Sequence, residues 1–203
     1  MDADKPESKK HLSPKEVGCA FCPLNKVPGI HKVKGEVHGR EIFIWGIAPG
    51  PQENEKLTEF IGKSGELLWQ ELERVGILRS KCDVQNIVRC FPADQVENSR
   101  HPLKKRNPSK EEIHCCSVYT KDAIRLSRAK MHLIFGKVTA KNVLGTEFKK
   151  GKKAFRSERL NAHVFCFWHP TYLVMHGCSA GSTQEPNEKL KQWRKDLEMA
   201  RHC

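Results

Sequence analysis

The stretch EIFIWGIAPG (residues 41–50) carries the pattern that decides the fold, a short apolar run that breaks at a glycine- and proline-rich turn. The run is β-branched and aromatic up to Gly46, which predicts a buried strand. Three later runs have the same character, namely DVQNIVRC (83–90), MHLIFG (131–136) and HVFCFW (163–168). The sequence therefore predicts four buried strands.

Segments with helical periodicity alternate with these strands. In SGELLWQELERVGI (64–77) apolar side chains recur at helical spacing, with Ser64 as the predicted N-cap and Gly76 as the end. Further helices are predicted for PSKEEIHCCSVYTKDAIRL (108–126), VTAKNVLG (138–145) and NEKLKQWRKDLEMAR (187–201). Alternation of strand and helix implies a parallel sheet covered on both faces. We expect an α/β fold, a three-layer α/β/α sandwich around a central four-stranded parallel sheet.

The chain divides into a short arm and one domain. Residues 1–15 are polar and lysine-rich, which predicts a flexible basic arm. The remainder, 16–203, is long enough for one sizeable core. Two segments read as loops, 91–108 and 176–186, and the first is long for a compact domain, which indicates a functional or mobile segment.

The charge balance points to a polyanionic partner. Lys and Arg number 36 against 24 Asp and Glu, a net charge of +12. Nucleic acid is the first candidate partner and an anionic membrane the second, while a generally basic surface is the alternative. No apolar run approaches the roughly 20 residues of a membrane span, and the N-terminus lacks an apolar signal core. We therefore expect an intracellular protein, in the cytoplasm and nucleoid or in a nucleus.

Cysteine usage indicates thiols or a metal site. The chain has nine cysteines, an odd number, and no signal peptide. Reduced thiols or metal ligands are then expected in place of a disulfide framework.

Four features fall at the carboxyl ends of the predicted strands, where open parallel sheets bind ligands. The turn 46–50 follows the first strand, Asn86 lies in the second, Gly136 ends the third, and His169 with Pro170 ends the fourth. A single histidine after a strand is usually structural. Four such features on one edge instead predict a binding site.

These motifs resemble a known family. GIAPGPQENEKLTEFIGKSGELL (46–68), NIVRCFP (86–92), LIFGKVTAKNVLG (133–145) and HPTYL (169–173) are similar to the uracil-DNA glycosylase superfamily, closest to its iron–sulfur family 4 branch. The resemblance covers roughly residues 19–175. It implies a DNA repair hydrolase of base excision repair that flips out uracil, or another deaminated base, and cleaves its N-glycosidic bond. The implied partner is DNA. The resemblance also implies that the protein is a monomer and that it does not associate with membranes.

The resemblance also implies roles for single residues. Phe60 matches the aromatic side chain that stacks on the extruded base, and Asn86 matches the amide that reads the base edge. An amide suits that task because it offers a donor and an acceptor in one plane. His169 matches the histidine that bonds uracil O2 as negative charge develops. The turn at Gly46, Ile47 and Ala48 matches the loop whose backbone helps hold the base.

A metal cofactor follows from the same resemblance. Cys19 and Cys22 form a CxxC, Cys90 follows NIVR, and the family pattern places the fourth ligand at Cys116, with Cys115 as the rival. Four thiolates suit either a [4Fe–4S] cluster or a tetrahedral zinc ion. The resemblance favours the cluster.

Two basic segments and one apolar segment are candidates for contacts with DNA. Flipping requires cations on the phosphates. The candidates are Lys104, Lys105 and Arg106 in the long loop and Lys152, Lys153 and Arg156 in KKGKKAFRSER (149–159). The candidates for an apolar wedge that fills the vacated stack are Tyr172, Leu173, Val174 and Met175, with Leu173 counted among the DNA contacts, and ordinary helix packing is the alternative.

The sequence departs from the family where the family has its acids. Ile47 stands where family 4 has a glutamate that acts on the attacking water, and Lys63 stands where family 5 keeps an aspartate. Three explanations follow. Glu53 or Glu55 takes the role, or the enzyme works by stabilising the departing base through His169 and Asn86, or the protein is a non-catalytic iron–sulfur protein that binds DNA or recognises damage.

Overall fold

A five-stranded sheet forms the centre of the structure, a computed structural model that describes residues 17–97, 99–100, 102–149, 151 and 153–201. The predicted arm 1–15 lies outside the described residues. In chain order the elements are β1 (Ile42–Gly46), α1 (Pro51–Lys56), α2 (Lys63–Arg74), β2 (Cys82–Asn86), β3 (Ala93–Gln95), β4 (Leu103–Lys105), α3 (Lys110–Leu126), β5 (Met131–Phe135), α4 (Lys137–Leu144), β6 (Ala154–Ser157), β7 (Ala162–Phe167), α5 (Pro170–Met175) and α6 (Glu188–Arg201).

The sheet is mostly parallel. Its strand order is β2-β1-β5-β7-β6. The four predicted strands all pair in parallel, whereas β6 pairs antiparallel with β7 at the edge. The α/β fold class is therefore confirmed, and the sheet gains a fifth strand that was not predicted. The sequence of β6, AFRS, has two apolar and two polar residues, so it lacks the apolar run that marks the other strands of the sheet.

Helices cover both faces of the sheet, as the three-layer prediction requires. Ile44 of β1 shares one buried cluster with side chains of α2, α5 and α6. Its neighbours Phe43 and Trp45 point the other way and share a second cluster with α3 and α4. This alternation follows from the two-residue period of a strand, so a strand buried on both faces must be apolar throughout.

Local signals set the helix ends with one exception. At α3, Ser109 Oγ accepts the backbone N–H of Glu112, and the Glu112 carboxylate accepts the N–H of Ser109 in return. The prediction of Ser64 as the N-cap of α2 is wrong, because the helix begins at Lys63 with Gly62 as its N-cap.

The long loop 91–108 contains a hairpin. Strands β3 and β4 pair antiparallel, with Ala93 opposite Lys105. The hairpin leaves the carboxyl end of β2 and therefore stands at the edge of the sheet where ligands are expected.

The chain reverses direction across the sheet between β1 and β5. From β1 the chain adds β2 on one side and then returns to place β5 on the other. Such a switch point opens a crevice beyond the carboxyl ends of the two strands. No helix within the described residues is both long and apolar enough to cross a membrane.

Candidate active site

A cavity of about 300 Å³ lies beyond the carboxyl ends of β1, β2, β5 and β7. The structure brings into its wall five of the side chains predicted from the sequence, which are Ile47, Ala48, Phe60, Asn86 and His169. Gly46 lies directly behind this wall. A Cβ atom on Gly46 would stand 2.2 Å from Asn86 Oδ1 and 2.5 Å from Phe60 Cζ. Only glycine therefore lets these two side chains meet at the end of β1.

His169 is held as a neutral imidazole. It is the N-cap of α5, and its Nδ1 accepts the backbone N–H of Thr171 at 3.2 Å. Because Nδ1 accepts, the ring proton belongs on Nε2. Burial, assisted by the positive charge of Lys105, lowers the His169 pKa to about 4. The residue therefore offers a neutral N–H donor near neutral pH.

Phe60 is fixed by its backbone. The residue is buried and has a φ of 53°, in the left-handed region that phenylalanine rarely adopts. The indole Nε1 of Trp69 donates to the Phe60 carbonyl at 3.0 Å. The carbonyl of the preceding residue, Glu59, accepts from Arg79 Nη2 at 2.9 Å. These bonds hold the strained segment, so the ring is presented to the cavity without a flexible loop.

Asn86 meets a buried carboxyl on the side away from the cavity. The last residue of β2 is 3% exposed, and its Nδ2 donates to Glu59 Oε2. Glu59 is fully buried, and desolvation raises its pKa to about 8. Glu59 does not line the cavity. The sequence reasoning missed it, and the signal available was a charged residue directly before Phe60 in an apolar segment.

The two glutamates near the turn, Glu53 and Glu55, have different surroundings. Ile47 presents an apolar side chain to the cavity. Glu53 also lines the cavity, but its carboxylate accepts backbone N–H groups of Gly50, Ile61 and Gly62 at 2.9, 3.0 and 2.7 Å. These bonds tie the turn after β1 to the segment that carries Phe60. Glu55 is exposed and lies outside the cavity wall, and Lys63 is exposed at the start of α2.

The cations predicted in the long loop have different surroundings. Lys104 and Lys105 are exposed on β4, and Lys105 lines the cavity near His169. Arg106 instead forms ion pairs with Asp94 at 2.7 Å and with the buried carboxylate of Glu112 at 2.5 Å. The DNA contact of Arg106 stays a prediction, and its guanidinium is engaged in two ion pairs within the fold.

The second basic segment runs along the edge of the sheet that β6 and β7 form. Lys153 pairs with Asp196 of α6 at 2.8 Å. Arg156 stands opposite His163, at the start of β7. The cavity lies beyond the other end of β7, at His169, which is roughly 20 Å from His163 at ~3.3 Å per residue. The DNA contact of Arg156 stays a prediction, and antiparallel pairing carries β6 away from the carboxyl ends of the parallel strands. Lys152 lies outside the described residues.

Leu173 belongs to the core. Its side chain is fully buried in the cluster that α2, α5 and α6 share, so the prediction of Leu173 as an exposed wedge is corrected. Met175, two residues later on α5, is 78% exposed, and Tyr172 is 38% exposed. The alternative of helix packing describes Leu173, while Met175 is the apolar side chain of this segment that projects outward.

Lys137 and Thr139 are among the cavity residues that were not predicted as site residues. Lys137 begins α4 and lines the cavity beside Gly136. Thr139 also lines it, and its Oγ1 is buried without a hydrogen-bond partner in the described part of the chain. A hydroxyl in that position is available to a bound base or to water.

The four predicted ligand cysteines surround a second cavity. This space of about 110 Å³ is lined by Cys19, Cys22, Cys90 and Cys116, whereas Cys115 lies in the core beside it. Burial raises the pKa of Cys90 to about 12 and of Cys116 to about 11. Metal binding must therefore displace thiol protons. No three Cys, His, Asp or Glu side chains of the described residues stand close enough to hold one metal ion.

The surroundings of this second cavity join three parts of the fold. Cys19 precedes the sheet, Cys90 follows β2, and Cys116 lies on α3. Tyr119 Oη lies 3.0 Å from Cys19 Sγ, and Lys32 and Arg89 lie over the Tyr119 ring. Four thiols around one space are a donor set that suits either a [4Fe–4S] cluster or a tetrahedral zinc ion.

Comparison with known proteins agrees with this geometry. The family model described as the uracil DNA glycosylase superfamily matches residues 34–197. A type-4 uracil-DNA glycosylase of Pyrobaculum aerophilum is 29% identical over 140 residues, 66% of this chain and 64% of that protein. Another, of Sulfurisphaera tokodaii, is 26% identical over 201 residues, covering 92% of this chain and 84% of that protein.

A solved structure is also similar. The crystal structure of Pedobacter heparinus SMUG2 matches with a TM-score of 0.46 and 12% sequence identity, over 81% of this chain and 74% of that chain. The match to the superfamily model covers most of the chain and includes every residue that lines the first cavity. The chain belongs to the uracil DNA glycosylase superfamily.

Proposed function

We propose that the protein is a DNA glycosylase that removes uracil from DNA by hydrolysis of the N-glycosidic bond. One observation carries the proposal: Phe60, Asn86 and a neutral His169 converge on a single cavity at the switch point of the sheet. A stacking ring, a donor–acceptor amide and an N–H donor are the groups that an extruded pyrimidine needs. The type-4 names of the relatives support the same reaction.

His169 stabilises the departing base. When the glycosidic bond breaks, its electron pair stays on the base, and negative charge reaches O2. The Nε2–H donor is already oriented by the bond from Thr171 N–H to Nδ1, so no reorganisation is needed as charge develops. Lys105 adds a positive charge close to His169. Since the imidazole is neutral, it donates a hydrogen bond and keeps its proton.

The remaining step is attack of water on the sugar, and the one carboxylate among the described residues of the cavity wall, Glu53, is already engaged by backbone N–H groups. Glu53 has three backbone donors on its carboxylate, and Ile47 has no polar atom. This arrangement supports the second explanation given above, in which stabilisation of the leaving base supplies most of the rate enhancement. Water then captures the cation-like sugar and releases a proton to solvent, and the products are an abasic site and the free base.

The cofactor that the cysteines would hold is a [4Fe–4S] cluster on Cys19, Cys22, Cys90 and Cys116. Cys116 is preferred over Cys115 because it lines the cavity between the sulfurs. Such a cluster crosslinks the N-terminal segment, the exit of β2 and α3, and so stabilises the base of the hairpin that carries Lys105. Zinc is the alternative, and iron and sulfide analysis of purified protein separates the two.

DNA is the proposed partner, bound across the edge of the sheet that holds the cavity. Exposed cations at this edge include Lys104, Lys105 and Lys137. Met175 takes the place of Leu173 as the proposed wedge, because only an exposed side chain can enter a base stack. An intracellular location follows from a DNA substrate.

Excision of uracil tests the proposal. Purified protein with its metal site loaded is incubated at stoichiometric ratio with a labelled oligonucleotide that contains one uracil, and abasic sites are cleaved with alkali. The proposal predicts cleavage at the uracil position, and parallel substrates with hypoxanthine or xanthine define the range of deaminated bases. Absence of product from all three would leave the second candidate, a non-catalytic iron–sulfur protein that binds DNA or recognises damage. The apolar Ile47 in the cavity wall is the observation that favours it.

A further inference from the structure

Glu59 is a buried carboxyl that none of the roles above uses. It is fully buried, its Oε2 accepts from Asn86 Nδ2, and its Oε1 has no hydrogen-bond partner within the described residues. Burial of a carboxyl with an unpaired oxygen costs folding free energy, so the presence of Glu59 at this position calls for an explanation. Its only side-chain hydrogen-bond partner among the described residues is the amide that faces the cavity.

The position of Glu59 is rigid. Arg79 binds its backbone carbonyl, and Trp69 binds the carbonyl of Phe60. Glu53 accepts the next two backbone N–H groups, of Ile61 and Gly62. Three neighbours therefore clamp the segment, and the carboxyl of Glu59 stands as a fixed point against the amide of Asn86.

We propose that Glu59 is a positioning residue that fixes the orientation of the Asn86 amide and thereby selects uracil over cytosine. This inference rests on the proposed function for the class of ligand only. With one N–H engaged by Glu59, the amide has its oxygen and its second N–H left for a base. Uracil presents the complement, a donor at N3 and an acceptor at O4. Cytosine presents an acceptor at N3 and a donor at N4, so it requires the amide turned over.

Ionisation of Glu59 makes this selection strict. A carboxylate only accepts hydrogen bonds, so the turned amide would set its oxygen against another acceptor. A protonated carboxyl can also donate, and it tolerates either orientation. Desolvation raises the Glu59 pKa to about 8, and the nearby charges act in opposite directions, Glu53 upward and Arg89 downward. Selectivity should therefore rise as the pH passes through this region.

Binding measurements test the proposal without relying on catalysis. Duplexes carry a single 2′-fluoro-2′-deoxyuridine or 2′-fluoro-2′-deoxycytidine, which resist cleavage, opposite an abasic spacer so that neither base loses a pairing partner. Dissociation constants are measured at pH 6.5, 7.5 and 8.5 for the wild type, for Glu59→Gln and Glu59→Met, and for the control Glu71→Gln. Glu71 is also buried on α2 but pairs with Arg194, away from the cavity.

The wild type and the control should bind the uracil duplex more tightly than the cytosine duplex. The ratio of the two dissociation constants should grow about tenfold from pH 6.5 to pH 8.5, which is the size of effect expected when a buried group loses its hydrogen bond. Both Glu59 variants should show a smaller preference that does not change with pH. Circular dichroism and the visible spectrum verify that each variant is folded. A wild-type preference that is absent, or equal to that of Glu59→Gln at every pH, overturns the proposal. If the wild type shows this binding pattern but does not excise uracil, the result counts against the proposed function and leaves the role of Glu59 standing.

Discussion

Replacement of Glu53 by glutamine separates a structural role from a catalytic one. The Glu53 carboxylate accepts three backbone N–H groups, from Gly50 on one oxygen and from Ile61 and Gly62 on the other. Glutamine retains one accepting oxygen and puts an NH₂ group in place of the second. At least one bond is therefore lost, and two donors are brought together.

The magnitude follows from the number and kind of these bonds. A hydrogen bond to a charged group contributes about 1.5–3 kcal/mol, and Glu53 is only 6% exposed, so water does not restore the lost bond. We expect the free energy of unfolding to fall by about 2–4 kcal/mol. For a chain of this size that corresponds to a decrease in Tm of roughly 5–15 °C.

Urea unfolding and single-turnover excision, measured on the same preparations, distinguish the two roles. Glu55→Gln is the matched control, since Glu55 is an exposed glutamate of the same helix. We expect Glu53→Gln to lose stability and to keep excision within about tenfold at a temperature where it is folded, because general-base loss typically costs 10²–10⁴-fold. Unchanged stability together with a loss of excision in that larger range would refute the reasoning and identify Glu53 as the missing acid.

Three further predictions concern titration and the cofactor. Because the His169 pKa is held near 4 and the neutral ring is the donor, excision by the wild type should be flat from about pH 8 down to about pH 5.5, and a rise below pH 6.5 would contradict a neutral donor. His132 is buried and its pKa is lowered to about 4, so the unfolded chain binds its proton first as the pH falls. The contribution of His132 to the free energy of unfolding should be complete above pH 6.5 and should decrease toward pH 4, by about 3 kcal/mol at most, at ~1.4 kcal/mol per pKa unit. Urea titrations at pH 5 and pH 7 should therefore show a smaller change in the free energy of unfolding for His132→Asn than for the wild type. Cys90→Ser should lose the visible absorption and the iron of the purified protein, whereas Cys166→Ser, a buried-strand thiol outside the cysteine cavity, should keep both; equal iron content in the two variants would contradict the ligand assignment.

The parts of the fold that depend on local pattern could be predicted from the sequence. Apolar runs that stop at Gly46 and His169, and a helix that begins at the Ser109 capping box, carry their own signals. The motif order then places Phe60, Asn86 and His169 on one edge, and the structure brings all three into one cavity. Their roles in binding a base stay predictions until they are measured.

The parts that depend on long-range pairing could not be predicted. The short strand β6 has no apolar run of its own, and it pairs along the edge of β7, a contact between strands that local pattern does not signal. Arg106 looks like a free cation in the sequence, and its partners Asp94 and Glu112 become neighbours only when β3, β4 and α3 are assembled. The contact of Glu59 with Asn86 joins residues 27 positions apart, and no spacing rule signals it.

The rotation of α5 about its own axis decides which of its side chains is exposed, and this is why the exposure of Leu173 was not predicted correctly. The segment 172–175 could present any of its side chains outward, and the direction is set by how Pro170 begins α5 against the core. Leu173 falls on the buried side and Met175 on the exposed side. Composition alone contains no information on that rotation.

The central claim is that a neutral His169 stabilises a departing uracil in this cavity. The most direct measurement is the single-turnover rate of uracil release from DNA at pH 7.5, for the wild type and for His169→Ala with equal metal content and equal DNA affinity. The account predicts measurable release by the wild type and a rate about 10²–10³-fold lower in the variant, the cost of removing one such donor. Equal rates in the two proteins, or no release by the wild type at saturating enzyme, would contradict it.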